Sequence, residues 1–98
     1  MNPNKVRRER TQTLTDLPNV GPAIAKMLNR IGIDRPCELS GCDPFELYER
    51  LYKLTGKWED PCLLDVFMSV VGFMNGEAPQ VWWAFTQERK KLLASKGS

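Results

Sequence analysis

Apolar residues recur along the chain at spacings of three and four, and nowhere with the strict alternation of a half-buried strand, which predicts an all-α fold. Ile24, Met27, Leu28 and Ile31 share one helical face. Leu47, Tyr48, Leu51, Tyr52 and Leu54 form the stripe of a second helix. Leu63, Leu64, Val66, Phe67, Val70, Val71 and Met74 are apolar almost all round, the pattern of a central helix. The one charge among them, Asp65, is expected near the first turn, where a helix favours an anion.

Proline and glycine punctuate these stripes. Proline suits the first helical position, because its missing N–H had no partner there, and glycine suits the position just past the last turn. Gly21-Pro22, Arg35-Pro36, Asp43-Pro44, Asp60-Pro61 and Ala78-Pro79 are therefore read as starts, and Gly32, Gly41, Gly56 and Gly76 as stops. Asp43 is placed to cap its helix with Glu46 answering three residues on, and Asp60 to cap the next. Four short helices result, with a fifth running from Pro79 toward the C-terminus and a short one over residues 11–16. The expectation is one compact domain of five to six helices over residues 11–94, with a flexible basic arm at 1–10 and a flexible tail at 95–98.

Composition narrows the class. Of 98 residues, 42% are apolar and 27% charged, as in an ordinary soluble domain. No apolar run approaches the roughly 20 residues of a membrane span, and the N-terminus lacks the apolar stretch of a secretory signal, so the expected setting is cytoplasmic, with no membrane partner. Cys37, Cys42 and Cys62 are an odd number without histidine, which argues against both a disulfide framework and a zinc site. Net charge is +2, distributed as +3 over residues 1–42, −4 over 43–80 and +3 over 81–98. The basic ends, Lys5, Arg7, Arg8, Arg10 and Arg89, Lys90, Lys91, Lys96, read either as solvated surface or as a means of steering toward a polyanion.

The segment Leu17-Pro18-Asn19-Val20-Gly21-Pro22 carries the strongest functional signal. Exposed N–H groups at a helix start can hold a phosphate, and the helix dipole favours its charge. Gly21 is expected to supply the backbone freedom for the turn, Pro22 to preset the helix, and Val20 to anchor the loop. Residues 15–33 resemble the helix-hairpin-helix motif of DNA polymerases, ligases and repair nucleases, whose pattern is apolar-Pro-Gly-apolar-Gly-Pro followed by a small-residue helix ending in Gly-Ile. That resemblance implies phosphate contacts from backbone amides of Asn19, Gly21, Ala23 and Ile24. It also implies that main-chain carbonyls of Thr15, Leu17 and Val20 hold a monovalent cation beside the phosphate, with no other cofactor. Asn19 replaces the usual first glycine and tolerates left-handed backbone. Ala23 replaces a common lysine or serine, and Lys26 and Arg30, one and two turns on, are the side chains placed to compensate.

Over residues 13–86 the chain further resembles small bacterial proteins of the pathogenicity-locus or mitomycin-resistance family, through Leu-Pro-Asn-Val-Gly (17–21), Asp-Pro-Phe-Glu-Leu-Tyr-Glu-Arg-Leu (43–51), Asp-Pro-Cys-Leu-Leu-Asp-Val-Phe (60–67) and Trp82-Trp83. It is also similar to the C-terminal helical domain of competence regulators. The helix-hairpin-helix likeness implies a SAM-like unit of paired hairpins. The second hairpin here is Thr55–Asp60, which lacks the Gly-x-Gly core and carries Glu59 and Asp60, so it reads as degenerate.

Two functions are expected from different classes. The first is sequence-independent binding of DNA, as duplex, through hairpin amides, in repair or uptake. The second is a helical protein-interaction module in which Trp82, Trp83 and the acidic middle face a partner. Trp82 or Trp83, with Phe85, is expected to dock the last helix on the core rather than stack on bases, and Trp58 is open to both readings. Cys62 is expected to be buried rather than reactive. An enzyme is not expected: glycosylases with this motif place a catalytic Asp soon after the hairpin, whereas Asp65 lies far along the chain, and a base-flipping pocket needs more chain.

Overall fold

The computed structural model describes residues 11–95. The predicted arm (1–10) and residues 96–98 lie outside them. The described residues are all helical, without strands: α1 (Pro22–Arg30), α2 (Pro44–Thr55), α3 (Pro61–Met74) and α4 (Thr86–Ser95). A 3-10 turn at Leu14–Asp16 precedes α1, and two more, at Pro36–Leu39 and Trp82–Phe85, lie between α1 and α2 and between α3 and α4.

The all-α expectation holds, but the count of five to six helices does not: four α-helices are present among the described residues. Two expected starts fail for identifiable reasons. After Arg35-Pro36 only a few residues precede the left-handed Gly41, too few for an α-helical ladder, and the stretch closes instead with Glu38 N–H to Arg35 C=O (3.0 Å) and Ser40 N–H to Cys37 C=O (3.3 Å). After Ala78-Pro79 the chain is extended, with Val81 at φ −67° and ψ 150°, and α4 begins only at Thr86. There the Gln80 carbonyl is taken by the Asn19 side chain from across the fold (2.7 Å), so a tertiary bond overrides the local start signal. The helix expected over 11–16 is likewise reduced to one 3-10 turn.

The three remaining proline starts form as read. Asp43 and Asp60 each accept a backbone N–H two residues on, from Phe45 and Cys62 at 2.9 Å. The Asp60 carboxyl is held below its ordinary range, chiefly by that Cys62 N–H. Gly56 closes α2 in the left-handed conformation, φ 80°, as a C-terminal glycine should.

Helix α3 is the axis of the fold, buried from Leu63 through Phe73. Helices α2 and α4 and the turns at 36–39 and 82–85 pack around it, with Leu28, Ile31, Leu39, Leu47 and Leu51 completing the core. The stripe of α2 is narrower than read: Leu47, Tyr48 and Leu51 are buried, while Tyr52 and Leu54 face solvent. Arg50 ties α2 to the end of α1, donating to the Ile31 carbonyl (3.2 Å) and to Glu46 (2.8 Å). A cation there offsets the unpaired carbonyls at a helix C-terminus.

Asp65 is a correction. It stands fifth in α3, past the first turn, and is fully buried. Its carboxylate accepts the Arg89 Nε–H at 2.8 Å and the Thr86 hydroxyl at 2.7 Å, both from α4. The pair raises the Arg89 pKa above its ordinary value. Arg89 is therefore an internal latch of α4 and no part of a free basic end.

Candidate functional site

The loop that precedes α1 is anchored by apolar residues spaced through it: Leu14, Leu17, Pro18 and Val20 are all buried. Ahead of it, the Asp16 carboxylate accepts the Gln12 and Thr13 amides (3.1 and 3.0 Å), and these bonds hold its pKa low. The turn closes with Val20 N–H to Leu17 C=O at 3.4 Å.

Between these two residues Asn19 takes φ 68°, the one positive φ at a non-glycine among the described residues. This is the conformation that the motif's usual glycine would supply, and asparagine is the residue that best substitutes for it. The Asn19 side chain has a second task that the sequence did not reveal. Its Nδ2 donates to Ser69 Oγ on α3 (3.1 Å) and to the Gln80 carbonyl (2.7 Å). Ser69 in turn donates to the Val66 carbonyl (2.7 Å), so the contact is built into the core.

Gly21 corrects the sequence reading of the turn. It caps α1 at φ −96° and ψ −176°, extended backbone open to any residue, and a Cβ there would meet nothing within 4 Å. The conformational demand falls on Asn19, and Gly21 leaves open space in front of the helix start. The first bond of α1 runs from Ala25 N–H to the Gly21 carbonyl (3.0 Å). The amides of Ala23 and Ile24 thus precede the ladder and have no acceptor within the helix. Ala23 is exposed and Ile24 half-buried, its side chain packed toward the core. Lys26 and Arg30 follow on α1, both exposed.

Asn19, Gly21, Ala23 and Ile24 therefore gather at one helix end, with Lys26 and Arg30 farther along it. The expected cation donors Thr15, Leu17 and Val20 lie on the same loop, and as neutral carbonyl groups they suit a hard monovalent ion by donor type. The Leu17 carbonyl already accepts the Val20 amide, leaving it one lone pair for such an ion. Among the described residues no three His, Cys, Asp or Glu side chains gather to hold a metal.

Sequence reasoning missed the wall that faces this loop. Asn19, Val20 and Gly21 line a groove of about 350 Å³ together with Val81, Trp82 and Trp83. Trp82 is half-buried and packs on the core beside Phe85, as expected of one member of the pair. Trp83 is 60% exposed and stands edge-on to Trp82, centroids 5.5 Å apart at 86°. The signal available in the sequence was the adjacency of two tryptophans, but the Asn19–Gln80 bond that brings them to the loop joins residues too far apart for any local pattern to predict.

A second aromatic patch lies elsewhere. Trp58 stacks on Tyr52 (4.2 Å, 17°) and on Tyr48 (5.4 Å, 23°), and with Phe45, Pro61 and Leu93 it borders an apolar hollow of about 240 Å³. This is the connection at 55–60 read as a second hairpin; it is capped by Gly56 and Asp60 and tied by the Tyr48 hydroxyl to the Glu59 carbonyl. Burial pushes the Tyr48 phenol up, with the Asp60 charge adding to it.

The three cysteines are free thiols, Cys37 exposed and Cys42 and Cys62 half-buried. Desolvation raises the Cys62 thiol above its ordinary value, and the neighbouring Asp60 adds to the effect, which opposes reactivity. No helix among the described residues is long and apolar enough to cross a membrane.

What these features define first is a small all-helical protein with a buried central helix and an open loop at the start of α1. The chain belongs to the pathogenicity-locus (Cdd1) family, whose profile matches residues 7–91. It is 48% identical over 84 residues to the mitomycin resistance protein McrB of Streptomyces lavendulae, an alignment spanning 86% of this chain and 80% of that protein. No solved structure matches it. The family resemblance read from the Leu-Pro-Asn-Val-Gly and Asp-Pro motifs therefore holds.

Proposed function

We propose that the chain binds nucleic-acid backbone phosphate without reading sequence, using the loop from Asn19 to Ile24 as the hairpin of a helix-hairpin-helix motif. The observation that carries this reading is the left-handed Asn19, in the conformation of the motif's usual glycine, followed by a Gly21 with open space beside it at the start of α1. Lys26 and Arg30 would add charge along the same helix, and the Thr15, Leu17 and Val20 carbonyls are the donors for a monovalent cation beside the phosphate. DNA is the proposed partner, with repair or uptake as settings in which a grip indifferent to sequence is useful. The contacts are few, so the affinity of one copy should be modest and strongly salt-dependent.

The test is fluorescence anisotropy of labelled DNA against wild type and Gly21→Val at low and physiological salt. Valine fits the observed angles at position 21 and meets no neighbour, so the variant should keep the wild-type circular dichroism while its branched side chain takes up open space that the phosphate would need. Binding should fall by about 0.9 log units per log unit of salt for each phosphate neutralised on duplex DNA, and should be lost in the variant. Wild type that binds no DNA at low salt, or a folded variant that binds as well as wild type, would refute the assignment of the loop.

A second reading is favoured by one observation, the exposed aromatic patch of Tyr52 and Trp58 beside the acidic Glu59 and Asp60. Under it the chain is a protein-interaction module, since aromatic residues concentrate the energy of interfaces. Loss of partner capture in Trp58→Ala, with DNA binding absent from wild type, would place this reading first.

A further inference from the structure

Exposed tryptophans scattered singly over a surface need no explanation, but Trp83 is not placed in that way. It sits in a 3-10 turn closed by Ala84 N–H to Val81 C=O (3.1 Å), next to a half-buried Trp82 that packs against the core. One residue before Val81, the Gln80 carbonyl is held by Asn19. The indole is thus held at both ends of its segment, with more than half its surface open, and it lines one groove together with Val20 and Gly21. An occupant that suits both walls must carry a flat apolar ring within a short bond path of an anionic group. An unpaired nucleotide in a strand has that combination.

Resting on the phosphate-loop reading, we infer that the Trp82–Trp83 wall receives an unpaired base of the bound strand on the face of Trp83. The site would therefore select single-stranded or frayed nucleic acid over closed duplex. The geometry favours this because the faces of a base inside a duplex are already covered by its neighbours, so a fixed indole can reach only a terminal or unpaired one. Stacking tolerates any base, since every base offers a π face, so the inference keeps the indifference to sequence. It changes the preferred partner from the duplex expected from sequence to a single strand. Asn19 becomes a positioning residue in this arrangement, because its side chain holds the loop and the tryptophan segment at a fixed separation.

The experiment compares three labelled probes by anisotropy: an oligothymidylate, an abasic strand of the same length and a blunt duplex. The abasic strand keeps the phosphates and removes the rings, so it separates stacking from charge. Wild type should prefer the oligothymidylate to the abasic strand by about 5- to 150-fold, the range expected for one stacked base. Trp83→Ala should bind both strands alike, at the affinity of the abasic strand. Trp83→Phe should keep part of the preference, and since position 83 is largely exposed both variants should retain the wild-type circular dichroism. Equal binding of the two strands by wild type, with Gly21→Val still abolishing it, would overturn the stacking inference and leave the phosphate loop standing. Tighter binding of the blunt duplex than of the oligothymidylate, or a preference that survives in Trp83→Ala, would also overturn it. Failure of wild type to bind any probe at low salt would refute both proposals together.

Discussion

Replacing Asn19 by glycine and by alanine separates the two things this residue does. Glycine accepts the φ of 68° without cost but removes the side-chain bonds to Ser69 and Gln80. Neither former partner is stranded: Ser69 still donates to the Val66 carbonyl, and the Gln80 carbonyl is on an exposed residue that water can reach. The loss should therefore sit near the low end for two hydrogen bonds, about 1 kcal/mol in all. Alanine loses the same bonds and must also hold a left-handed backbone, which adds roughly 1–2 kcal/mol. For a domain of this size each kcal/mol lowers Tm by about 4–8 °C. Asn19→Gly should thus melt roughly 4–8 °C below wild type and Asn19→Ala roughly 8–24 °C below it. Thermal and urea denaturation followed by far-ultraviolet circular dichroism would measure both. Alanine that is no worse than glycine would show that the left-handed turn is not enforced, and glycine as stable as wild type would show that the clamp contributes nothing.

The Asp65–Arg89 pair should behave as a buried ion pair: Arg89→Ala leaves a fully buried carboxylate with only Thr86 and should cost about 3–5 kcal/mol in urea denaturation. Replacing both, as Asp65→Leu with Arg89→Met, should recover most of that loss, and a single variant within about 1 kcal/mol of wild type would contradict the assigned role. Acid should weaken the fold through Asp16, Glu38 and Asp60, whose pKa values are held low by backbone N–H groups of Thr13 and Gln12, of Asp34 and Arg35, and of Cys62. Because these pKa values are lower folded than unfolded, their stabilisation is complete above the ordinary carboxylate range and is lost as pH falls below about 4. A urea midpoint flat from about pH 6 to pH 3 would refute this. Alkylation of the native protein at neutral pH, read by mass spectrometry, should label exposed Cys37 well before Cys62, whose thiol is pushed up by burial and Asp60; equal rates would count against that environment.

What the sequence disclosed depended on how local the cause was. Pro22, Pro44 and Pro61 mark true helix starts because proline suits the first helical position, and before Pro44 and Pro61 an aspartate completes the cap within a single turn. The all-round apolar character of 63–74 marked the central helix because no exposed face remains on it. Asn19 was readable as a left-handed residue from its place in the motif. Gly21 was misread, since its identity suggested freedom that its extended backbone does not use. The false start at Pro79 and the burial of Asp65 both involve distant residues: at Pro79 a local start signal is overridden by the bond to Asn19, and Asp65 is paired with Arg89 from α4, which no local pattern shows. The groove wall at Trp82–Trp83 was illegible for the same reason.

Those distant bonds have a common origin in α3. Among the described residues, Asp65 and Ser69 are the only buried polar or charged side chains, and they stand four residues apart, on one face of the helix. Ser69 receives Asn19 from the loop before α1, while Asp65 receives Thr86 and Arg89 from α4. The Trp82–Phe85 turn lies in the chain between the Gln80 carbonyl that Asn19 grips and the Thr86 that Asp65 grips. Two polar positions on an otherwise apolar helix thus hold, from opposite ends, the segment that lines a groove together with the loop before α1. Apolar packing alone is indifferent to small slides of one element over another, whereas hydrogen bonds of 2.7 to 3.1 Å are directional and set the register. An aspartate and a serine inside a helix this hydrophobic thus have a structural role: through Asn19, Thr86 and Arg89 they set where the Trp82–Phe85 segment lies relative to the loop before α1, and the proposed site would depend on that placement.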